Sequence, residues 1–433
     1  MNAPRKQRHT AKRIFCRLQN EAGNFNASYR LAAGYVAVRK KELNLNRGPG
    51  CIPLKHFPGE AQADFGYADF YEDGVLHHEA KYLVLSFPYS NAGYLQLNYG
   101  ENLECLMEGL KAIFEYIGGV PKEIWFDNTR TIVTKIHRNG KRDLTERFGR
   151  FTEHYGFKAV FMNPASGNEK GNVENKVGYL RRNVLVPAPH FKDLSAENRS
   201  LLERCTRDMV RKHYDKGMPI NELFEEDKKA LRPLPRTEFD TAHYMTANAD
   251  GYGKFTLDSG RHRYSTSPAY SNKQVNLKLT SGEVIVIDDD MHEVIRHKRL
   301  YGKEKAESMD WIPYLEYIAR RPRSIKNSGI YGMMPEVMQK YMDMCQTTEI
   351  GKILKVLAEL TKRTCFDDAG STVKAAIEHH AVDHDNLKAL HALLFPQDPY
   401  MPPLEKKANR PEVPLFTGNT DLYYMDRALR KRV

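Results

Sequence analysis

The sequence lacks the cysteine pattern of a disulfide-stapled or zinc-binding protein. Its 433 residues contain six cysteines, which are scattered and form no C-x-x-C pair. This spacing excludes a dense disulfide framework and a zinc ribbon, and it is typical of reduced thiols in a cytosolic protein. The cysteines are Cys16, Cys51, Cys105, Cys205, Cys345 and Cys365.

Long apolar runs are also lacking. No run approaches the roughly 18 residues that a membrane-spanning helix needs. The basic start of the chain, Met1 to Lys6, continues into polar sequence without the apolar segment of a signal peptide. We therefore expect no membrane partner and a location in the cytoplasm.

Acidic residues are outnumbered by basic ones. The chain has 66 Lys and Arg against 55 Asp and Glu, for a net charge of +11, which favours a polyanionic partner such as DNA. The length predicts about two to four domains.

Three carboxylates stand out in the middle of the chain: Asp64, Asp127 and Glu174. Each lies at the edge of a predicted strand or on the helix that follows one. The runs that carry them are Gln62-Ala63-Asp64-Phe65-Gly66, Trp125-Phe126-Asp127-Asn128 and Lys170-Gly171-Asn172-Val173-Glu174-Asn175.

The elements around these acids are predicted from hydrophobic periodicity. Their order is three strands, helix, strand, helix, strand, helix, which is the order of an RNase H-like sheet. In that sheet the first strand, the end of the fourth strand and the last helix converge at one edge. The predicted strands are Ala61–Phe70, Val75–Phe87, Gly93–Leu97, Lys122–Phe126 and Phe157–Met162. The predicted helices are Leu103–Tyr116, Asp143–His154 and a last one that carries Glu174.

Three acids at one sheet edge suit two Mg²⁺ ions roughly 4 Å apart, which assist phosphodiester cleavage and joining. Mg²⁺ prefers oxygen ligands. We predict that Asp64 bridges both ions and that Asp127 and Glu174 each hold one, with Mn²⁺ as a substitute for Mg²⁺. Taken singly, each acid is also compatible with an ordinary surface position.

Other charged residues lie near these motifs. Asp69 is at an odd offset from Asp64, and Glu169 is about 500° of helical turn from Glu174, so neither is predicted to join the site. Lys170 and Arg181 lie near the Glu174 face of the last helix, where they are predicted to bind DNA phosphates. A solvated helix face is the alternative.

The N-terminal region has a helix, a Gly-containing turn and a basic helix. This pattern predicts a helix-turn-helix whose second helix contacts DNA. A basic helical hairpin without that role is the alternative. The predicted DNA contacts on the second helix are Arg30, Arg39, Lys40 and Lys41.

The whole chain is predicted to be a multidomain α+β protein. The predicted divisions are a helix-turn-helix at 1–46, a linker at 47–58, an RNase H-like α/β catalytic core at 59–186, a helical connector at 187–240, a small β-barrel at 241–302, a helical C-terminal region at 303–395 and an extended or disordered tail at 396–433.

Periodicity also predicts the elements that follow the core. The predicted helices are Leu194–His213, Pro335–Cys345, Ile350–Arg363, Thr372–Glu378 and Asp385–Leu394. The predicted strands of the barrel are Tyr252–Leu257, Arg263–Ser265, Gln274–Thr280, Glu283–Asp288 and Glu293–His297.

These motifs resemble the IstA family, the transposases of two-gene insertion sequences whose second gene encodes a AAA+ ATPase, IstB. Pro58 to Gly66 resembles the family's first acidic block, Phe126-Asp127-Asn128 the second and Lys170 to Asn175 the block with Glu. The sequence departs from the family at Phe65, where Trp is common, and in having one helix-turn-helix unit before the core where two are usual.

The resemblance implies a bacterial DDE transposase that works at the nucleoid. It would bind the inverted repeats of its element, cleave the 3′ ends and join them to target DNA. The implied partners are DNA, an IstB-like AAA+ ATPase and further copies of the chain in a dimer or tetramer.

Two other functions remain open from the sequence. One is an RNase H-like integrase or nuclease of another family, and the other is a catalytically silent DNA-binding regulator derived from a transposase.

Overall fold

The protein is described from a computed structural model, which covers residues 11–22, 25–43, 55–127, 132–136, 142–162 and 167–396. At residues 135, 136, 142, 167–172, 324 and 327 the backbone alone is described. The chain divides into two compact units, Met1–Asp310 and Trp311–Val433. The predicted tail lies outside the described residues except at its first position, and the finer domain bounds stay predictions.

The N-terminal part is a helical hairpin of α1 (Ala11–Glu21) and α2 (Tyr29–Glu42). The Phe15 ring contacts the rings of Phe25 and Tyr29 edge-on, which holds the two helices together. The Ser28 hydroxyl accepts a hydrogen bond from the Leu31 N–H and caps α2. The two helices agree with the predicted pattern, and their assignment as a helix-turn-helix stays a prediction.

A mixed α/β layer follows, and its sheet has the strand order β3-β2-β1-β4-β7. The first three strands are antiparallel, and β4 and β7 run parallel to β1. The predicted order of strands and helices is present, with three short strands added, of which two lie between β4 and α4 and one follows α5. The elements are β1 (Glu60–Glu72), β2 (Val75–Phe87), β3 (Ala92–Asn98), α3 (Leu103–Ile117), β4 (Glu123–Phe126), β5 (Val133–Ile136), β6 (Arg142–Leu144), α4 (Glu146–Tyr155), β7 (Lys158–Phe161) and α5 (Gly167–Val184).

The helix α3 forms where the sequence is apolar at helical spacing. Leu106, Leu110 and Ile113 are buried on the side that packs on the sheet. The Asn102 side chain accepts the Cys105 N–H at the start of the helix, and Gly118 ends it with φ +77°.

The additions are short strands that the sequence did not reveal. The predicted helix from Asp143 begins instead at Glu146, because Arg142–Leu144 pairs with β5 as a two-stranded ribbon. The two-residue strand β8 (His190–Phe191) pairs with the far end of β1 at Tyr71 and Glu72. Both pieces have too few residues for a hydrophobic period to be visible.

The connector contains two helices, α6 (Leu194–Asp208) and α7 (Ile220–Ala230). The predicted helix Leu194–His213 therefore ends five residues early. From α6, the Asn198 side chain reaches the outer strand β3. Its Oδ1 accepts the Leu97 N–H at 2.7 Å and its Nδ2 donates to the Leu97 carbonyl at 3.0 Å. The amide thus makes the pair of bonds that a further strand would make.

The next strands form two sheets over a shared apolar core, and the predicted small barrel is not confirmed. One sheet has the order β14-β13-β12-β9 and the other the order β10-β11-β15. Strands β9 and β15 were not predicted. The strands are β9 (His243–Asn248), β10 (Lys254–Leu257), β11 (His262–Ser265), β12 (Gln274–Leu279), β13 (Glu283–Ile287), β14 (Glu293–Lys298) and β15 (Ala306–Ser308).

Buried ion pairs join α3 to these sheets. The Glu104 carboxylate on α3 accepts hydrogen bonds from Arg147 and from Arg299, the latter at 3.2 Å. One turn along, Glu108 accepts the N–H and the hydroxyl of Ser281. Burial raises the pKa of Glu108. The sheets are therefore attached to the α/β layer by specific polar contacts.

The described residues of the second unit form helices. Its helices α10 and α11 match the predicted Pro335–Cys345 and Ile350–Arg363 closely, while α12 starts six residues before the predicted Thr372. Its helices are α8 (Ile312–Ala319), α9 (Gly329–Met333), α10 (Glu336–Met344), α11 (Ile350–Arg363), α12 (Phe366–Glu378) and α13 (His384–Leu394). No helix in the described part of the chain is long and apolar enough to cross a membrane.

Candidate functional site

Two of the predicted carboxylates lie at the same level on the neighbouring parallel strands β1 and β4. Strand β1 pairs with β4 so that Ala63 lies opposite Phe126. Because side chains alternate along a strand, Asp64 points from the face of β1 opposite to Ala63. Asp127 directly follows the last residue of β4, at the level of Asp64. Asp64 and Asp127 are both half-buried.

The third predicted carboxylate belongs to α5, which crosses that same face of the sheet. The Gln62 side chain of β1 accepts the Val173 N–H at 3.2 Å. The Tyr82 hydroxyl of β2 donates to the Val177 carbonyl at 3.0 Å. On α5, Glu174 lies between Val173 and Val177, which make these two contacts. On β1, Asp64 lies between Gln62 and Gly66, and Gly66 is the cross-strand partner of Tyr82. Glu174 is exposed.

A close approach between Gly66 and Tyr82 sets the distance between sheet and helix. The two residues are cross-strand partners, and a Cβ atom on Gly66 would lie 2.3 Å from the Tyr82 ring. The ring is fully buried. Burial raises the pKa of Tyr82 to about 12, and the nearby Asp64 carboxylate acts in the same direction.

The two aspartates line one cleft together with a fourth acid, Glu101, which the sequence motifs did not indicate. Glu101 accepts a hydrogen bond from Lys81, whose ammonium lies 3.6 Å from the centre of the Tyr67 ring. Glu101 lies in the loop between β3 and α3, so neither a strand pattern nor a helix pattern could have identified it. The other lining residues are Ala63, Phe65, Leu83, Asn102, Leu106, Phe126 and Ile132.

The basic residues predicted on α5 have different surroundings. Arg181 is exposed and donates a hydrogen bond to the Tyr67 carbonyl at 3.4 Å. Lys170 lies in the first turns of α5, and its side chain is outside the described part of the structure. Lys176, two residues after Glu174, is buried and donates to the Asn91 carbonyl. Burial lowers the pKa of Lys176 to about 7.

The competing acid Asp69 is bound to two residues of β2, and its direction away from Asp64 stays a prediction. A bulge interrupts the β1–β2 register between Ala68 and Phe70. Asp69 accepts the Glu79 N–H at 2.8 Å and pairs with His78 at 3.1 Å. The side chain of the other competing acid, Glu169, is outside the described residues.

A different trio of possible metal ligands is more compact than the predicted one. Among the described residues, Asp288, Asp290 and His292 have ligand atoms within 4.8 Å of one another, and Asp64, Asp127 and Glu174 do not form so close a set. The trio lies in the turn after β13, where Asp288 accepts the N–H groups of Asp290 and His292. These hydrogen bonds account for the turn without a metal.

The predicted DNA contacts on α2 do not share one face. Arg30 and Lys41 are eleven residues apart and so lie about 20° apart around the helix, whereas Arg39 is about 180° from Arg30. Arg39 pairs with Glu42 at 2.7 Å. Lys40 is half-buried beside apolar side chains of the hairpin. Arg30 and Lys41 alone form an exposed basic face.

Comparison with known proteins identifies relatives of the chain. It is 29% identical over 352 residues to a transposase of Aminobacter aminovorans, covering 78% of this chain and 68% of that protein. It is 27% identical over 335 residues to the transposase for insertion sequences IS1326/IS1353 of Pseudomonas aeruginosa, covering 76% and 65%. The transposase for insertion sequence element IS21 of the same species is 29% identical over 210 residues, covering 47% and 49%. The chain is related to the IstA-type transposases.

The relationship to these transposases confirms the resemblance seen in the sequence motifs. The chain spans 65% of the length of the IS1326/IS1353 transposase. No protein-family model matches the sequence. Among solved structures, the HTLV-2 integrase catalytic core domain in complex with magnesium is 17% identical, with 41% of this chain and 99% of that chain covered. Its TM-score is 0.26.

Proposed function

We propose that the chain is a DDE transposase that binds the terminal inverted repeats of an insertion sequence, cleaves its 3′ ends and joins them to target DNA. The observation that carries the proposal is the register of β1 and β4, with Asp64 and Asp127 following the paired residues Ala63 and Phe126. Transposases among the relatives support the same reading.

The proposal includes an RNase H-like core formed by β1, β2, β3, β4, β7 and the helices between and after them. It is supported by the strand order β3-β2-β1-β4-β7, with three antiparallel strands followed by two parallel ones. It is also supported by the hydrogen bond from the Val173 N–H of α5 to Gln62 of β1, because Val173 and Gln62 are close in sequence to Glu174 and Asp64. Sites at the ends of parallel strands are usual in such layers because several loops meet there.

The donor atoms of this site suit Mg²⁺. Asp64, Asp127 and Glu174 offer only carboxylate oxygens, the ligand type that Mg²⁺ prefers, and no sulfur or imidazole ligand competes among the described residues that line the cleft. Two Mg²⁺ ions, or Mn²⁺ in their stead, supply activation of the attacking oxygen and stabilisation of the leaving oxygen. Asp64 would be shared by both, with Asp127 and Glu174 on one each.

The remaining residues have roles in holding substrate and partners. Arg181, and Lys170 by its place in the sequence, would bind DNA phosphates beside the three carboxylates. Arg30 and Lys41 would bind DNA from the exposed face of α2. The proposed partners are the inverted repeats and target DNA, an IstB-like AAA+ ATPase, and further copies of the chain in a dimer or tetramer at the bacterial nucleoid.

The test is metal-dependent nicking and joining of DNA that carries the ends of the element encoding the chain. Asp64→Asn, Asp127→Asn and Glu174→Gln should each reduce both reactions by about a hundredfold or more, because a metal ligand is lost. Chelation should abolish both reactions, and Mg²⁺ or Mn²⁺ should restore them.

Asp69→Asn is the matched control, since Asp69 lies on the same strand and is bound to Glu79 and His78. It should retain nicking and joining. Equal nicking by Asp64→Asn and the unaltered protein contradicts the proposal, and absence of nicking in both favours a silent regulator. Nicking without joining favours a nuclease.

A further inference from the structure

The outward side of α5 carries Glu174, Gly178 and Arg182 in line. These residues are four positions apart, so each follows the previous one by about 40° around the helix and about 6 Å along it. Glu174 and Arg182 are exposed, whereas Val173 and Leu180 of the same helix are buried. Glu174 and Arg182 therefore share one exposed side of α5, with Gly178 between them.

Gly178 leaves room for the Arg182 guanidinium. A Cβ atom on Gly178 would lie 3.2 Å from one terminal nitrogen of Arg182 and 3.7 Å from the other. The arginine side chain thus folds back over Gly178 toward the start of the helix, which is the direction of Glu174. A cation that served only the helix dipole would lie near the last carbonyl groups of α5. The dipole therefore does not account for this placement.

Arg182 is also close to the face of the sheet that carries Asp64. The buried Tyr82 hydroxyl lies between β2 and α5, where it donates to the Val177 carbonyl at 3.0 Å. The pKa of this hydroxyl is raised to about 12, chiefly by burial; the Asp64 charge contributes in the same direction and the Arg182 charge in the opposite one. Asp64 and Arg182 therefore both lie near Tyr82.

The guanidinium of Arg182 is available to a ligand. Among the described residues, none accepts a hydrogen bond from it or forms an ion pair with it. The neighbouring Arg181 instead donates to the Tyr67 carbonyl at 3.4 Å, on a side of the helix about 100° away. A guanidinium has five N–H donors in a planar fork that fits a phosphate.

We propose that Arg182, in the space above Gly178, binds a phosphate of the DNA end and so positions the strand beside Glu174. The 6 Å between Glu174 and Gly178 along α5 sets this phosphate within about two nucleotides of the reacting one. The inference rests on the proposed function, because it takes Glu174 as a metal ligand at the point of reaction. Arg182 is a positioning residue, since it contacts the strand and not the reacting atoms.

The experiment measures binding of a short duplex that carries the end of the element, by fluorescence anisotropy in chelator at several salt concentrations. Arg182→Gln should lower the slope of affinity against salt by about 0.9, the value for one phosphate contact. Gly178→Leu should lower the slope equally, because the leucine side chain occupies the space of the guanidinium. Leucine is nevertheless the better helix former, so Gly178→Leu should unfold at a higher temperature than the unaltered protein.

Gly149→Leu is the matched control. Gly149 lies within α4, and a Cβ atom there would meet nothing within 4 Å, so this variant should keep the full slope. The double variant Arg182→Gln, Gly178→Leu should have the slope of Arg182→Gln alone, because both substitutions act on one contact. Thermal unfolding establishes that each variant is folded.

An unchanged slope in Arg182→Gln overturns the inference. A further fall in the double variant also overturns it, since the leucine would then exclude DNA from α5 without acting through Arg182. Because binding is measured without metal, it is independent of the nicking assay. Loss of nicking in Asp64→Asn together with an unchanged slope in Arg182→Gln refutes this contact and leaves the proposed function intact. Full nicking by Asp64→Asn together with a lower slope in Arg182→Gln refutes the proposed function and leaves only a phosphate contact.

Discussion

At the scale of single residues, Gly66 in the candidate site has no room for a side chain. It lies on β1 directly opposite Tyr82, whose ring fills the space that a side chain would need. The ring cannot turn aside at low cost, because it is fully buried and its hydroxyl is bonded to Val177 on α5. Any added side chain must displace the helix that carries Glu174.

We expect Gly66→Ala to lower the free energy of unfolding by about 1 to 3 kcal/mol, because a methyl group is forced into a packed contact. Chemical denaturation measures the change. The same variant should need more Mg²⁺ for half-maximal nicking than the unaltered protein, since Glu174 is shifted.

Gly149→Ala is the control for this prediction. Gly149 is within α4, and a Cβ atom there would meet nothing within 4 Å. Alanine in a helix is more stable than glycine by about 0.5 to 1 kcal/mol. A Gly66→Ala protein as stable as Gly149→Ala would show that Tyr82 moves freely and that the contact does not position α5.

At the scale of elements, α3 is attached to the sheet of β12 and β13 through charges that are almost without solvent contact. The side chains of Glu104 and Arg299 are 5% and 10% exposed. Arg299 also donates to the Thr280 carbonyl at 2.7 Å. A buried ion pair contributes little net stability when complete, but loss of one partner leaves a costly unpaired charge.

We therefore expect Arg299→Met to destabilise the protein by about 3 kcal/mol, the low end for a broken buried pair because Arg147 still contacts Glu104. Adding Glu104→Gln should restore part of that loss, as the uncompensated carboxylate is then removed. Denaturation of the single and double variants measures the coupling. Additive effects of the two substitutions would contradict a direct interaction.

The elements also show what the sequence could predict. Strands β1 to β3 and helix α3 were predictable because their apolar residues alternate or recur over 7 to 15 residues. Strands β8 and β15 were not, because two or three residues carry no period and pair only through the tertiary fold. The predicted small barrel is not confirmed, because the number of strands does not determine which strands pair.

The candidate site follows the same rule. The flanking motifs predicted the three carboxylates, while the structure adds the register that puts Ala63 opposite Phe126 and the contact between Gln62 and Val173. Glu101 could not be predicted, because it enters the cleft from a loop whose course depends on α3. Helical spacing alone predicts that Arg30 and Lys41 lie on the side of α2 away from Arg39. The four basic residues of α2 were nevertheless predicted as one set of DNA contacts.

At the scale of the whole molecule, the surplus of 11 positive charges predicts strongly salt-dependent DNA binding. With four or more phosphates neutralised, affinity should fall by about a hundredfold or more between roughly 50 and 200 mM salt. The double variant Arg30→Gln, Lys41→Gln should lose about two phosphate contacts, so its affinity should fall less steeply as the salt concentration rises. Arg39→Gln should have less effect, since Arg39 is paired with Glu42.

Anisotropy titrations at several salt concentrations measure these slopes. Equal slopes for the double variant and Arg39→Gln would contradict a contact face at Arg30 and Lys41. An affinity that does not change with salt concentration would mean that phosphate contacts are few and that the net positive charge does not contribute to DNA binding.

The amide of Asn198 has a consequence for contacts between copies of the chain. By engaging both backbone groups of Leu97, it occupies the groups with which a strand of another copy would pair at this position of β3. A second copy that approaches β3 here meets backbone groups that already have partners.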